Sequence, residues 1–410
     1  MPEFLKLLPP MTALEQWFDA LAFQVKSEHI ASAEALGRVS AEAVTAAYPL
    51  PSFARSTVDG YAVRAVDTHG ANESLPAYLS LVGEVPMGAS PSFALEAAQC
   101  ALIHTGGMIP QHANAVVMVE HTQLAGDREI EVMRAAAIGE NVLQVGEDVA
   151  AGETVIEAGT RFRPAHIGGL MALGITQVCV AERPQVAILS SGDEVIPPGK
   201  AIQPGQVRDV NTYSLSALVE KTGGRPRAYG IAPDEFEGML AAAQTALAQC
   251  DMLVITAGSS ASQRDLTAAV INALGEPGVM VHGINVRPGK PTILGVCAGK
   301  PVVGLPGNPV SALVIAGIFV TAALEALTGI AGTPMRVSKP ARLSLNLASQ
   351  SGREDWVPVR LVSVSGEYLA EPVFGKSNLI FSLARADGLI RIPPDANGLS
   401  AGEVVEVFLL

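Results

Sequence analysis

The chain has 410 residues, a formal net charge of −13 at pH 7, 49% apolar residues and 16% charged residues. That length exceeds one ordinary hydrophobic core, so several domains are expected. The acidic balance argues against sequence-independent binding to nucleic acid or an anionic membrane, so an anionic ligand would need local basic residues. Cys100, Cys179, Cys250 and Cys297 are scattered, with no C-x-x-C and no His at zinc spacing; they read as small buried residues of a reducing compartment. No basic n-region precedes an apolar h-region, and a cytoplasmic protein is expected.

Residues 12–47 read as helical and alanine-rich. Thr12 precedes Leu14, Trp17, Phe18, Leu21 and Val25 at helical spacing, and a second helical piece is expected over 32–38. Segment 49–64 changes character: Pro49, Pro51 and small polar residues exclude a helix up to the Asp59-Gly60 turn. Asp59 is either a turn-forming Asx residue, its commoner use, or a carboxylate presented on an ordered loop. Residues 73–145 read as mostly β, with runs at 78–82, 115–119 and 129–133, and with the small-residue loop His104-Thr105-Gly106-Gly107 ahead of the second. Residues 146–183 form a further short β/helix segment punctuated by glycines. His104, His121 and His282 are taken as structural.

Residues 185–328 alternate strand-like and helix-like runs. Strands are expected at 185–189, 225–231, 252–256 and 301–305, and helices at 211–221, 234–249, 265–274 and Pro309–Leu327. This βαβα order specifies a mostly parallel sheet with helices on both faces. The stretch 301–311, P-V-V-G-L-P-G-N-P-V-S, runs from a buried strand through Pro306-Gly307-Asn308 into an apolar helix. Asn308 stands at the N-cap and Pro309 at the first helical position. The first-turn N–H groups form an anion-favouring site or simply a well-capped junction. Segment 285–291, N-V-R-P-G-K-P, brings Arg287 and Lys290 just upstream. The long apolar helix reads as a core helix rather than a membrane span, because Pro-Gly-Asn-Pro interrupts the uncharged stretch. Residues 334–410 return to β character at 337–347, 356–364, 389–392 and 403–409, a small barrel or sandwich of about five strands.

In an open α/β sheet, ligands bind beyond the carboxyl ends of the strands. Glu194, Asp234, Asp265 and the Pro306–Asn308 turn are therefore expected on one rim. Each acid alone reads as a helix cap or first-turn residue; as a group they suit Mg²⁺, with Arg287, Lys290 and the helix start near Ser311 suiting a phosphate or oxyanion. P-loop, G-x-S-x-G and H-E-x-x-H patterns are missing, so ATPase, lipase and zinc-protease readings lack their usual parts.

Four motifs carry a resemblance: S-T-V-D-G-Y-A-V at 56–63, S-G-D-E at 191–194, R-P-G-K-P at 287–291 and G-L-P-G-N-P-V-S at 304–311. In this order, and over essentially the whole chain, the sequence resembles the molybdenum insertase family, MoeA and the E domain of gephyrin. The resemblance implies a multidomain α/β fold with a central three-layer sheet domain, an N-terminal helical segment, an inserted mostly-β domain and a C-terminal β-barrel-like domain. The expected divisions are 1–48 with 146–184, 49–145, 185–330 and 331–410. It implies a homodimer in the cytoplasm with sites between subunits, and a transferase: Mg²⁺-dependent insertion of molybdate into adenylated molybdopterin with release of AMP. The pathway's adenylyltransferase is a candidate partner, and nucleic acid and membrane are not.

By position, the resemblance implies catalytic roles for Asp59, Thr105, Glu194, Asp234 and Asp265, with Glu194, Asp234 and Asp265 holding the metal. It implies substrate binding by Arg287, Lys290, Pro306, Gly307, Asn308, Pro309, Ser311, Arg353 and Ser377, Arg353 belonging to an S-G-R motif. Where the family often has G-G-V-S-V-G-x-x-D, this chain has A-G-S-S-A-S-Q-R-D at 257–265, which removes two glycines and adds Arg264. Arg287 stands where lysine is also common, a change of donor geometry. Two other readings stay open: adenylation of molybdopterin by the sheet domain, and a non-catalytic scaffold or sensor that keeps the fold.

Overall fold

A computed structural model of the chain describes residues 7–257, 261–330, 337–364 and 366–410, with the side chains of 261–264 left out. The altered 257–265 loop therefore lies largely outside the described residues, Arg264 with it. The chain forms two units. The larger comprises the described residues of Met1–Glu28, Gly37–Ala41 and Cys179–Leu410, the smaller His29–Leu36 and Glu42–Val178.

Helix α1 (Pro10–Asp19) opens the larger unit, with proline in its first turn and Ala13, Leu14 and Trp17 buried. Trp17 Nε1–H donates to the Gly295 carbonyl at 2.8 Å, so the indole is buried with its polar handle satisfied. The helical reading of 12–47 fails beyond this point. Residues Ser27–Ala31 are extended, alternating exposed and half-buried, and Ser32–Glu34 is a single 3₁₀ turn rather than a helix over 32–38. The Ser32 N–H goes to the Thr176 carbonyl, so a distant segment, and not the preceding helical turn, satisfies this backbone.

In the smaller unit, β1 (Gly60–Val63), β2 (Ala77–Val85), β3 (Gln99–Ile103), β4 (Ala115–Met118), β5 (Thr122–Leu124) and β6 (Glu129–Val132) form one sheet in the order β4-β1-β3-β2-β6-β5. Val63, Leu79, Cys100, Ala115, Val117, Ile130 and Val132 make its core. Helix α2 (Pro164–Ala172) follows, with proline at its first turn.

The larger unit is built on β7 (Gln185–Ser191), α3 (Asn211–Thr222), β8 (Arg225–Ala232), α4 (Phe236–Gln249), β9 (Met252–Ala257), α5 (Ala261–Ala273), β10 (Pro277–His282), β11 (Val286–Arg287), β12 (Ile293–Cys297), β13 (Lys300–Pro306) and α6 (Pro309–Leu327). The main sheet runs β8-β7-β9-β13-β12-β10. The first four strands are parallel; β12 and β10 are antiparallel additions. Neither was anticipated, because Gly278 and Gly295 interrupt their apolar runs.

Alternate residues of one strand serve opposite faces. Val186, Ile188, Val254 and Val303 pack under α1, α3 and α6, whereas Ala187, Leu189, Leu253 and Val302 pack under α4 and α5. Burial on both faces is why these strands read as unbroken apolar runs. By length and composition α6 could cross a membrane, but 67% of its most apolar window is buried in the protein, and it works as the central core helix.

The chain ends with β14 (Ser338–Leu343), β15 (Glu354–Val364), β16 (Glu367–Pro372), α7 (Ile380–Ala384), β17 (Gly388–Ile392) and β18 (Val404–Leu409). The order β15-β16-β14-β18-β17 returns to β15, a closed barrel around Leu343, Val359, Ala370, Ile390 and Val407. Closure removes the free edges that an open sandwich would leave. The short strand β11 adds to β15 in parallel, with Arg287 opposite Asp355. This one pairing carries the R-P-G-K-P segment from the sheet to the barrel.

Candidate functional site

The carboxyl ends of β7, β8, β9 and β13 define a rim, and polar residues fasten it. Ser190, the penultimate residue of β7, hydrogen-bonds Thr212 at 2.9 Å, Thr256 at 3.1 Å and Asp209 at 3.3 Å. Asp209 also accepts the Thr212 N–H at 3.0 Å and so sets the start of α3. Asn211 Nδ2–H donates to the Gly307 carbonyl at 2.9 Å, locking the Pro306-Gly307-Asn308 turn against α3. Asn308 has the extended backbone of an N-cap, but its side chain makes no cap hydrogen bond. The Val310 N–H donates to the Ser377 carbonyl at 3.1 Å. The expected array of free first-turn N–H groups is thus partly used to dock a barrel loop. The junction is a fixed corner whose Ser311 still lines the cleft.

The R-P-G-K-P segment is seated by contact. Gly289 has φ +116°, and a Cβ there would stand 2.2 Å from Ile315 Cγ1 on α6. Only glycine permits both that backbone and that approach. Thr292 Oγ1–H caps the Gly289 carbonyl at 2.6 Å, and the Ile284 N–H binds the Lys290 carbonyl at 2.9 Å. Lys290 and Arg287 are therefore exposed side chains on a rigid backbone.

These parts enclose a cleft of about 940 Å³ between the sheet rim and the barrel. Arg287, Lys290, Pro306, Asn308, Ser311, Arg353 and Ser377 all line it. Gly307 and Pro309 belong to the same turn without lining the cleft. Four cations, Arg287, Lys290, Arg353 and Lys376, face one carboxylate, Asp355. A chain of net charge −13 has here concentrated positive charge in a concave site, an arrangement that favours an anion.

Lys376 and Asp355 were not nominated from the sequence, although each is near a nominated residue. Asn211 was missed as well; its signal was a polar residue opening the 211–221 helix.

Glu194 follows β7, Asp234 follows β8 and Asp265 lies near the start of α5 after β9, so topology places all three at the carboxyl ends of parallel strands. They do not line the cleft, and their oxygens do not form a three-carboxylate cluster within 4.8 Å. Asp234 precedes α4, which begins at Phe236, so it is not the first-turn acid expected. Its N–H meets Asp193 Oδ1 at 3.3 Å. The all-carboxylate oxygen donors suit a hard cation such as Mg²⁺, which takes one or two carboxylates and completes its shell with water and substrate phosphate.

In the smaller unit, Asp59 Oδ1 accepts the Thr105 N–H at 2.8 Å, so Asp59 ties down the 104–107 loop. Its side chain remains 64% exposed. His104 stands between two acids, Nε2 being 3.0 Å from Glu84 Oε1 and Nδ1 3.7 Å from Asp59 Oδ1.

Comparison with known proteins accounts for this combination. Residues 8–174 match the MoeA N-terminal region (domain I and II), residues 187–326 a probable molybdopterin binding domain, and residues 340–410 the MoeA C-terminal region (domain IV). The chain belongs to the MoeA family. The molybdopterin biosynthesis MoeA protein of Pyrococcus horikoshii superposes on it with a TM-score of 0.86 at 32% identity, covering 99% of this chain and 100% of that one. A putative molybdopterin biosynthesis protein of Methanocaldococcus jannaschii is 35% identical over 94% of this chain and 92% of its own length. The molybdopterin molybdenumtransferase of Haemophilus influenzae is 32% identical over 96% of both. The basic cleft of this MoeA-family chain thus lies between a molybdopterin-binding-type sheet domain and a MoeA-type C-terminal barrel, in a family whose relatives include molybdopterin molybdenumtransferases.

Proposed function

We propose that this chain is a molybdopterin molybdenumtransferase, which inserts molybdate into adenylated molybdopterin and releases AMP. The observation that carries this reading is the cleft, where the R-P-G-K-P segment, the G-L-P-G-N-P-V-S corner and the S-G-R arginine converge in an otherwise acidic protein. Lys290 serves as a movable point charge and Arg353 as a planar fork, and together they hold the dianion against the pterin. Ser377 adds a hydroxyl donor, while Ser311 and the Pro306–Asn308 corner shape the floor. Arg287 orients the pterin phosphate from the cleft wall.

Mg²⁺, when bound, supplies charge neutralisation at the phosphate that leaves with AMP. One or two of Glu194, Asp234 and Asp265 hold it, together with substrate oxygens. Asp59 and Thr105 complete the site from a second subunit, which makes the working form a cytoplasmic homodimer supplied by the pathway's adenylyltransferase.

The deciding experiment is AMP release from adenylated molybdopterin with molybdate or tungstate in turn. Release that depends on the oxyanion supports the reading. ATP consumption with unadenylated pterin would reassign the protein to adenylation, and pterin binding without turnover would make it a scaffold. Mixing Asp59→Asn chains with Asp265→Asn chains should restore part of the activity; full activity of a monomer, by light scattering and turnover together, overturns the shared site.

A further inference from the structure

Two adjacent carboxylates on β15 are buried and have separate duties. Glu354 accepts Trp356 Nε1–H at 2.8 Å and Arg391 Nε–H at 2.8 Å, and does not line the cleft. Asp355 does line it, although the residue is only 3% exposed. Its Oδ1 accepts Arg353 Nε–H at 2.6 Å and its Oδ2 accepts Arg353 Nη2–H at 3.0 Å. Arg287 Nη1 stands 3.9 Å from the same Oδ2, brought there by the backbone register that sets Arg287 opposite Asp355.

A guanidinium carries five N–H donors in a rigid plane. Asp355 occupies one edge of Arg353, the Nε–Nη2 edge. Among the described residues nothing accepts from Nη1, and Arg353 is itself a lining residue of the cleft. We infer that Asp355 is a positioning residue for the oxyanion site: its buried carboxylate clamps one edge of Arg353 and thereby aims the other edge at the ligand. This rests on the reading of the cleft as the oxyanion site.

Orientation and charge predict opposite effects of substituting Asp355. Asp355→Asn removes the single negative charge among the charged residues of the cleft. If charge alone decided affinity, a dianion would bind the variant more tightly. If orientation decides, the loosened Arg353 loses its aim and binding weakens in spite of the extra positive charge. Orientation wins here because, among the described residues, the buried carboxylate is the one hydrogen-bonding partner that holds the guanidinium plane.

The test is a titration of molybdate at saturating adenylated molybdopterin, with AMP release as readout. Asp355→Asn should raise the molybdate concentration for half-maximal release about tenfold, with the rate at saturating molybdate changed less than about twofold. Arg353→Lys keeps the charge but loses the two-point clamp, so it should show a similar rise of about tenfold. In an Arg353→Ala background, Asp355→Asn should add less than about twofold, because its effect runs through Arg353. A lowered or unchanged requirement in Asp355→Asn, while Arg353→Ala raises it, overturns the positioning role and leaves the cleft reading intact. Additive effects of the two substitutions overturn it too. An unchanged requirement in Arg353→Ala brings down the cleft reading itself, and the inference with it. Should Asp355→Asn fail to fold, Arg353→Lys decides: wild-type molybdate dependence in that variant overturns the inference.

Discussion

Gly289→Ala probes the joint on which the cleft depends. The new Cβ would stand 2.2 Å from Cγ1 and 2.3 Å from Cδ1 of Ile315, in the middle of α6, with no room on either side because Ile315 is fully buried. Two costs arise. The backbone at φ +116° is one that an L side chain rarely adopts, worth about 1–3 kcal/mol. Forcing a methyl into a packed core adds about 1–3 kcal/mol. The expected loss is therefore about 2–6 kcal/mol.

The two tryptophans of the chain, Trp17 and Trp356, both lie in the core cluster that contains Ile315, so urea unfolding followed by tryptophan fluorescence reads the larger unit. Ile315→Ala alone should cost about 2–5 kcal/mol by leaving a cavity. The double variant should be more stable than the sum of the singles by about 1–3 kcal/mol, since the removed atoms are those the new methyl strikes. The backbone share of the loss should remain. A Gly289→Ala protein as stable as the parent, or strict additivity with Ile315→Ala, would refute the reasoning.

Asp265 is exposed near the start of α5; Asp265→Asn should leave the unfolding free energy within about 0.5 kcal/mol of the parent yet slow AMP release, and a large loss of stability with activity tracking the folded fraction would mark it as a structural cap. Lys300 Nζ–H donates to the carbonyls of Leu247 at 2.6 Å and Cys250 at 2.8 Å, closing the end of α4; Lys300→Met should cost about 2–3 kcal/mol in the same unfolding assay. Burial pushes the Cys100 thiol up to about 12 and the Cys297 thiol up to about 11, so both should resist thiol reagents until the chain unfolds. Their neutral forms are favoured in the folded state, so this stabilisation is complete below the ordinary thiol value of 9.0 and is lost as pH rises from there through the folded values, which urea midpoints between pH 8 and 11 would register.

The sequence by itself determined the repeating strand–helix order of 185–328, because strands buried on both faces and helices with marked ends are written in local apolar runs. It located helix α6 from Pro309 to Leu327, where Pro306-Gly307 breaks the chain and Pro309 suits a first helical turn. It also marked Arg287, Lys290 and Arg353 as cations worth attention, since short motifs keep their residue types in order.

What only the tertiary structure decided depended on partners far away in the chain. Residues 27–34 are not helical because Thr176 supplies a hydrogen-bond partner that no local pattern announces. Strands β10 and β12 exist because β13 offers an edge on which to extend the sheet. Whether the barrel closes is settled by the pairing of β15 with β17 across some thirty residues. The three rim acids share a topological address, but their oxygens are not gathered within 4.8 Å of one another, since side-chain reach depends on loop paths and not on strand order. Asp355 and Lys376 enter the cleft because one β-strand pairing and one loop docked on α6 bring distant segments face to face, a juxtaposition with no counterpart in linear spacing.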